Sequence, residues 1–516
     1  MNKLLLTLFL GINYRNKLIL SYEKLKTQRN TEKIVEIKSL IEKEKIKINE
    51  PLKHDEEYKR YGIDINLSFT QYVYQKLINL YFNCFLIYSL ADQKTFHYPL
   101  PYEWRQILIK NNIKVSHLSS FLYKMISVLI FIIYFVNLIK NLFSYSNKNL
   151  NSKKVYLNSI GENVLLSKNK GFIFWLKKLL HQEEFQIYHN LKFKFKKKNN
   201  INEIFCYNYF YCLMDTKLKL KYILSFFLNY IASIFFEDSN KNFFFIETFS
   251  LKFLLDNKVE LPDFAMFNNS SFVYRPLWTY VLEKNKKKSV LFYFYSVNCF
   301  ARKKYMHGYS LMNWPNYLVW VDEQKVWIKN LLDYDYNLIE GTYPPLEGED
   351  IKKISKSRKT VTVFDVIPSS KLFYSIIGNP YNQYTYKFCS QFLIDVMEIL
   401  NQFDIDIILK TKRLFFKNTF VFSKEYMDLI IKMQTKYKFQ LCDQSFSAEN
   451  LINSSDAVIS IPYTSPAYLG TMLKKPSIFY SNLEAIDSEL IADRNILKIN
   501  SKENLKFWLQ NNLNEK

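Results

Sequence analysis

Residues 453–480 read NSSDAVISIPYTSPAYLGTMLKKPSIFY, a stretch that decides the fold because it spells strand, polar turn, helix and strand in succession. Ala457 to Ile461 is a short β-rich apolar run stopped by Pro462. Ser465 then precedes Pro466, a preferred N-cap ahead of a proline at the first helical position, so a helix is predicted from there to Lys474. On this reading the hydroxyls of Thr464 and Ser465 lie beside the free N–H groups of a helix start. In a parallel sheet such a turn sits at the carboxyl end of a strand, where the helix dipole favours anions, phosphates above all.

Working outward, Ile405 to Leu409 reads as a second strand that runs directly into Lys410, Lys412 and Arg413. Three cations therefore leave the sheet at the same edge as the Pro462–Ser465 turn, and together they predict a diphosphate or nucleotide pocket. Thr360 to Phe364, Phe439 to Leu441, Ser477 to Tyr480 and Ile496 to Ile499 read as further strands, alternating with helices such as Gln383 to Gln402. That alternation predicts an α/β fold with a doubly wound parallel sheet. A polar helix, Lys502 to Asn512, closes the chain and is expected to pack back across the preceding domain. Upstream, VYLNSI (155–160), FFFIETF (243–249), SVLFYFYS (289–296), YLVWV (317–321) and YNLIEG (336–341) read as short buried strands. Gly341 and Pro344-Pro345 mark a break, and Glu347 to Lys359 a polar linker. Residues 15–60 read as a solvated helical hairpin and 61–150 as apolar helices broken at Pro99 to Trp104. The predicted domains are thus an α-helical, membrane-associating region over 1–150, an acceptor-side α/β domain over 151–345 and a nucleotide-donor-binding α/β domain over 346–516.

With 516 residues the chain has room for two or three cores, and its 9 Gly, 13 Pro and 17% aromatic content exclude a disordered class. The net charge of +23 suits an anionic partner, yet the basic residues are dispersed and the tightest run, Lys192 to Lys198, is short, so no nucleic-acid module is expected. The six cysteines show no CxxC spacing and read as reduced thiols of a cytosolic protein. Only His307 lies beyond residue 189 among the six histidines, which excludes a histidine-cluster metal site from the C-terminal half. The N-terminal apolar run breaks at Gly11 without a small-residue cleavage site, and no signal peptide is expected. Met125 to Ile139 is about 15 residues of apolar sequence, short of the ~20 that span a bilayer, and reads as a buried or interfacial helix. Together with the Phe- and Tyr-rich stretch 204–236 it predicts a cytoplasmic protein held peripherally on the inner face of the membrane.

Pro462-Tyr463-Thr464-Ser465 after SSDAVISI resembles the signature of the bacterial polysaccharide biosynthesis proteins named for a P-F-T-S motif, with Tyr463 in place of phenylalanine. YRPLWTYVLE (274–283), FYS (294–296), WPNYLVWVDEQ (314–324) and LKTKR (409–413) fit the same family, so the resemblance covers roughly residues 260–480. It implies a GT-B-like glycosyltransferase, in which two Rossmann-like domains face each other across a cleft. It also implies surface-polysaccharide assembly, with a nucleotide sugar as donor substrate, a glycan or lipid-linked acceptor, no permanently bound cofactor and no metal.

Such a transfer needs positive groups for the departing nucleoside phosphate and a base for the acceptor hydroxyl. Lys410, Lys412, Arg413 and the Pro462–Ser465 turn are the candidates for the first role, with Asp365 at the end of strand 360–364 and Glu449 as further donor contacts, the latter to ribose hydroxyls. For the base, His307 follows the 289–296 strand and has an ordinary pKa near 6.5 suited to proton transfer; Asp322 and Glu323, after the 317–321 strand, are the carboxylate alternatives. Asp333/Asp335 and Asp404/Asp406 have D-x-D spacing, but they fall at the wrong ends of strands and are not expected to hold a metal. Two other classes share the predicted pocket: a non-catalytic nucleotide- or glycan-binding scaffold, and a transferase of polyol phosphate from a cytidine diphosphate donor.

Overall fold

The computed structural model describes residues 56–72, 95–96, 102–110, 114–140, 142, 153–158, 170–182, 185–190, 203–206, 211, 214–236, 241–267, 273–285, 290–294, 309–341, 343–344, 358–369, 385–412, 423–442, 446–482 and 496–513. The hairpin expected over 15–60 and the linker expected over 347–359 lie almost wholly outside them.

Seven parallel strands form the first sheet: β1 (Lys153–Asn158), β2 (Phe185–Asn190), β3 (Glu203–Cys206), β4 (Phe264–Phe267), β5 (Val290–Tyr293), β6 (Asn316–Val319) and β7 (Asn337–Glu340), in the order β3-β2-β1-β4-β5-β6-β7. Six parallel strands form the second: β8 (Thr360–Phe364), β9 (Asp406–Lys410), β10 (Gln440–Leu441), β11 (Ala457–Ser460), β12 (Ser477–Tyr480) and β13 (Leu497–Ile499), in the order β10-β9-β8-β11-β12-β13. In both sheets the first strand lies centrally and the fourth pairs with its free side, which is the Rossmann order and leaves a switch point between those two strands. The expected pair of doubly wound α/β domains is therefore what the chain forms.

Period-two alternation sorts the second sheet between two cores. Val361, Val363, Leu409, Ala457, Ile459, Ile478 and Tyr480 pack on its outer face with helices α7 (Tyr386–Leu400) and α8 (Lys424–Lys436). Phe364, Val458 and Phe479 point the other way, into a core that continues without interruption through α9 (Ala448–Asn453) and α10 (Ser465–Met472) into the first sheet. The closing helix α11 (Lys502–Leu513) buries Leu505, Leu509 and Leu513 in the outer core beside α7, so it belongs to the second sheet rather than crossing the first.

The first sheet departs from expectation in one large element. The FFFIETF stretch lies inside helix α4 (Lys241–Asp256), not in a strand. Its aromatics suit either structure, and packing decides: Phe245, Phe249 and Phe253 meet in succession at i, i+4 spacing, with ring centroids 5.9 and 6.2 Å apart. Ahead of the sheet, α1 (His117–Lys140) is 24 residues long, well beyond the expected 125–139 segment. Ser116 Oγ accepts the Leu118 N–H at 3.1 Å at its start, and inside it Ser127 Oγ donates to the Tyr123 carbonyl at 3.0 Å and Asn137 Nδ2 to that of Ile133 at 2.8 Å. It packs beside α3 (Thr216–Phe236), which together with α2 (Lys170–Leu180), α4 and α5 (Trp278–Asn285) completes the helices around the first sheet up to α6 (Asp322–Leu331). Residues 65–72 are helical and tied to this unit by Gln71, whose Nε2 donates to Asn313 Oδ1 at 2.8 Å.

Candidate functional site

The switch point of the second sheet lies where β9, β8 and β11 end side by side. Lys410, Phe364 and Ser460 are in register across the three strands, so their side chains share the face turned toward the first sheet and stand about 4.8 Å apart from strand to strand. Lys410 is buried, and Ser460 Oγ is buried with no hydrogen-bond partner among the described residues. Lys412, one residue past the buried Thr411, is exposed at the same edge. Arg413 lies outside the described residues.

Beside them the chain turns through Ile461-Pro462-Tyr463-Thr464. Tyr463 has φ +60°, a left-handed conformation uncommon for a bulky residue, and it is held there by packing: its ring meets Phe479 at 5.7 Å and Lys498 Nζ sits 5.0 Å above it. This sharp turn changes the cap. The N-cap of α10 is Thr464 rather than Ser465, and Pro466 follows at the second helical position. Thr464 Oγ1 donates to the Ile461 carbonyl at 2.8 Å, closing the turn, and makes no capping hydrogen bond to the helix. The positive end of α10 thus lies at the switch point without a cap from the side chain of its N-cap residue.

Asp365 follows β8 directly and is buried on the outer side, where Tyr426 Oη of α8 donates to its Oδ2 at 2.9 Å. Burial pushes its carboxyl up to about 7, against the opposing pull of Tyr426 and of the main-chain N–H groups of Asp365 and Lys412. It lies beneath the switch point, next to Cys389 of α7, rather than on the face shared by Lys410 and Ser460. Glu449 stands in the first turn of α9, where Ser447 Oγ donates to its Oε2 at 2.7 Å. Its charge reaches Tyr293 at the end of β5: burial first, then Tyr343 and Glu449, raise that hydroxyl well above its ordinary value. Glu449 therefore lies within electrostatic reach of the first sheet.

Asp322 and Glu323 open α6 directly after β6, where their charges offset the positive helix end. Asp322 is exposed and Glu323 buried. Both line a cleft of about 470 Å³ between the two units, with Trp320, Glu340 and the Lys325–Glu340 ion pair on one wall and Tyr468, Thr471 and Met472 of α10 on the other. The structure does not bring these carboxylates into one pocket with Lys410 and Thr464. They sit at opposite ends of α10, Ser465 and Thr471 being six residues or roughly 9 Å apart along it. His307 lies outside the described residues. The Asp404–Arg358 ion pair, at 3.2 Å and exposed, occupies the start of β9, away from the switch point. Among the described residues no three His, Cys, Asp or Glu side chains converge as metal ligands.

Sequence reasoning missed Ser460, Trp320 and Tyr468. Ser460 and Trp320 are strand-end residues adjoining residues it did select, and Tyr468 lies three residues into the helix from Ser465, on a face that only the packing of α10 identifies.

The profile of the family described as "Polysaccharide biosynthesis PFTS motif protein" matches residues 229–509, more than half of the chain. No curated protein matches by sequence. Among solved structures, the chain is similar at a distance to trehalose-6-phosphate from E. coli bound with UDP-2-fluoro glucose, as that structure is described (TM-score 0.38, 10% identity, 70% of this chain and 92% of the other). It is similarly distant from Medicago truncatula UGT71G1 complexed with UDP-glucose (0.37, 11%, 72% and 92%) and from a putative UDP-N-acetylglucosamine 2-epimerase of Listeria monocytogenes (0.37, 9%, 70% and 88%).

Proposed function

Because the chain belongs to the polysaccharide biosynthesis PFTS motif family, we propose that it is a cytoplasmic glycosyltransferase that moves a sugar from a nucleotide donor to a glycan or lipid-linked acceptor. The observation that carries this reading is the family's turn lying at a Rossmann switch point beside a buried lysine. Lys410, Lys412 and the start of α10 offer positive potential where a diphosphate would lie, and charge-assisted hydrogen bonds there are worth about 1.5–3 kcal/mol each. The same groups stabilise the nucleoside diphosphate as it departs with the electron pair of the anomeric C–O bond, and in this scheme no metal is needed. Asp322, exposed in the cleft, takes the proton of the acceptor hydroxyl as that oxygen attacks the anomeric carbon.

The test is a thermal-shift panel of the full chain with CMP, CDP, UDP, GDP and ADP, paired with transfer assays. A nucleotide at about 100 times its Kd stabilises the wild type by ~2.7 kcal/mol, and Lys410→Ala removes most of that shift. Asp322→Asn keeps the shift while lowering transfer by roughly 10²–10⁴-fold. A chain that no nucleotide stabilises is not a nucleotide-dependent transferase. One that binds a nucleotide, but transfers nothing with the wild-type residues in place, is a scaffold.

A further inference from the structure

We propose that α1 and α3 together form a docking face for an anionic lipid bilayer, with α1 lying in the plane of the membrane surface. Among the exposed apolar residues of α1, Phe121, Met125, Leu129, Ile132 and Val136 recur every three or four positions along one face, and Leu118, Ile133 and Ile139 widen it. On α3 they are Leu220, Leu224 and Leu228, at every fourth position, and Leu228 is 70% exposed. Phe227 joins the two stripes, packing on Phe131 and Phe135 with centroids 6.1 and 5.1 Å apart while staying partly exposed. A continuous apolar surface of this kind marks an interaction site on a water-soluble fold.

Charge selects the occupant. Neither helix carries an Asp or Glu, whereas α1 holds Lys124 and Lys140 and the start of α3 holds Lys217, Lys219 and Lys221. Lys140, Lys217 and Lys221 are exposed around the apolar area. Asp215, exposed just ahead of α3, is engaged as its cap, accepting the Leu218 N–H at 2.7 Å; a leucine-rich face whose own two helices carry only cations fits anionic headgroups over acyl chains, and a second copy of the same face would set lysine against lysine. The 24 residues of α1 are long enough to cross a bilayer, but its inner side is committed to protein. Phe131 stacks on Tyr230 at 4.8 Å, Tyr134 Oη lies 3.3 Å from Tyr222 Oη, and Tyr211 Oη donates to the Leu138 carbonyl at 2.7 Å. A helix clamped along one side and apolar along the other lies on a membrane rather than through it.

The experiment is co-sedimentation of the full chain with phosphatidylcholine vesicles, with and without phosphatidylglycerol, followed by alkaline carbonate extraction. Wild-type protein pellets with the anionic vesicles and is released by carbonate. Lys217→Ala with Lys221→Ala weakens partition by about 25-fold, at about fivefold per cation. Leu224→Glu with Leu228→Glu abolishes it while leaving the circular dichroism and the thermal midpoint unchanged, exposed leucines being dispensable to the core. Wild type that stays in the supernatant, or that resists carbonate, overturns the proposal, the second result pointing to a spanning helix. Dimers dispersed by the leucine variants, without vesicle binding, would overturn it in favour of a second copy. The nucleotide panel is unaffected by these variants, so the two proposals fail separately.

Discussion

The two sheets of this chain are the same device built twice. In the first, Asp263 stands just before β4, accepts the Lys154 N–H of β1 at 2.8 Å through Oδ2, and donates its own N–H to the Lys154 carbonyl at 2.8 Å. In the second, Asp456 stands just before β11 and makes the same pair with Thr360 of β8, again 2.8 Å in each direction. In both, a carboxylate pins the first strand to the fourth at the amino edge, opposite the switch point. The carboxyl edges differ. The first strand of one sheet ends on Asn158, that of the other on Phe364 and the buried Asp365. The amino edge is thus the part a doubly wound sheet needs for itself, and at the carboxyl end of the first strand it is the second sheet that has been given a carboxylate.

The largest effect that sharpens this contrast is one of pH. Asp365 titrates near 7 when folded against an ordinary value of about 3.9, so the folded state binds its proton more tightly than the unfolded chain does. Its contribution is therefore complete below about pH 4 and is lost as pH rises from 4 to 7, by up to about 4 kcal/mol. Urea titrations across that window show the loss in wild type, and Asp365→Asn flattens it; Asn158, which ends the first strand of the other sheet, has no titratable group and adds no such dependence. Next is helix packing. A Cβ on Gly470 would stand 2.1 Å from Ser477 Oγ and 3.1 Å from its Cβ, because α10 rides close on β12. Gly470→Ala lowers stability by about 1–3 kcal/mol, and adding Ser477→Ala recovers part of it, measured as denaturation midpoints. The smallest concerns the shared clamp. Asp263→Ala and Asp456→Ala each cost about 1–2 kcal/mol. If the clamps are equivalent, the two values agree within a few tenths, and a clear inequality breaks the comparison.

The same contrast explains what was legible. The second sheet announces itself through β-branched alternation and turn chemistry: Thr360–Phe364 and Ser477–Tyr480 coincide with the observed strands, and β9 and β11 differ by a residue. The first sheet uses Phe and Tyr in helix and strand alike. Residues 243–249 accordingly read as a strand although packing makes them helix, and no alternation marks β2, β3 and β4. At the candidate site, Lys410, Lys412, Asp322 and Glu323 lie at strand ends as their positions in sequence indicate. The cap of α10 was misread by one residue because a left-handed tyrosine leaves no mark in sequence. Nor does sequence tell which side of a sheet a strand-end carboxylate takes, and Asp365 proves to face the outer helices.

Helix α10 begins at the turn proposed to hold the diphosphate and ends in the cleft lined by Asp322. It is two turns long, buried along Ala467, Tyr468 and Leu469, and seated on its sheet at Gly470, so it moves as one piece or not at all. If an occupant at one end shifts it, the two sites become partners in linkage, and whatever factor is applied to affinity at the other end is returned in full. Donor and acceptor would then load as a cooperative pair, with neither order of addition thermodynamically privileged.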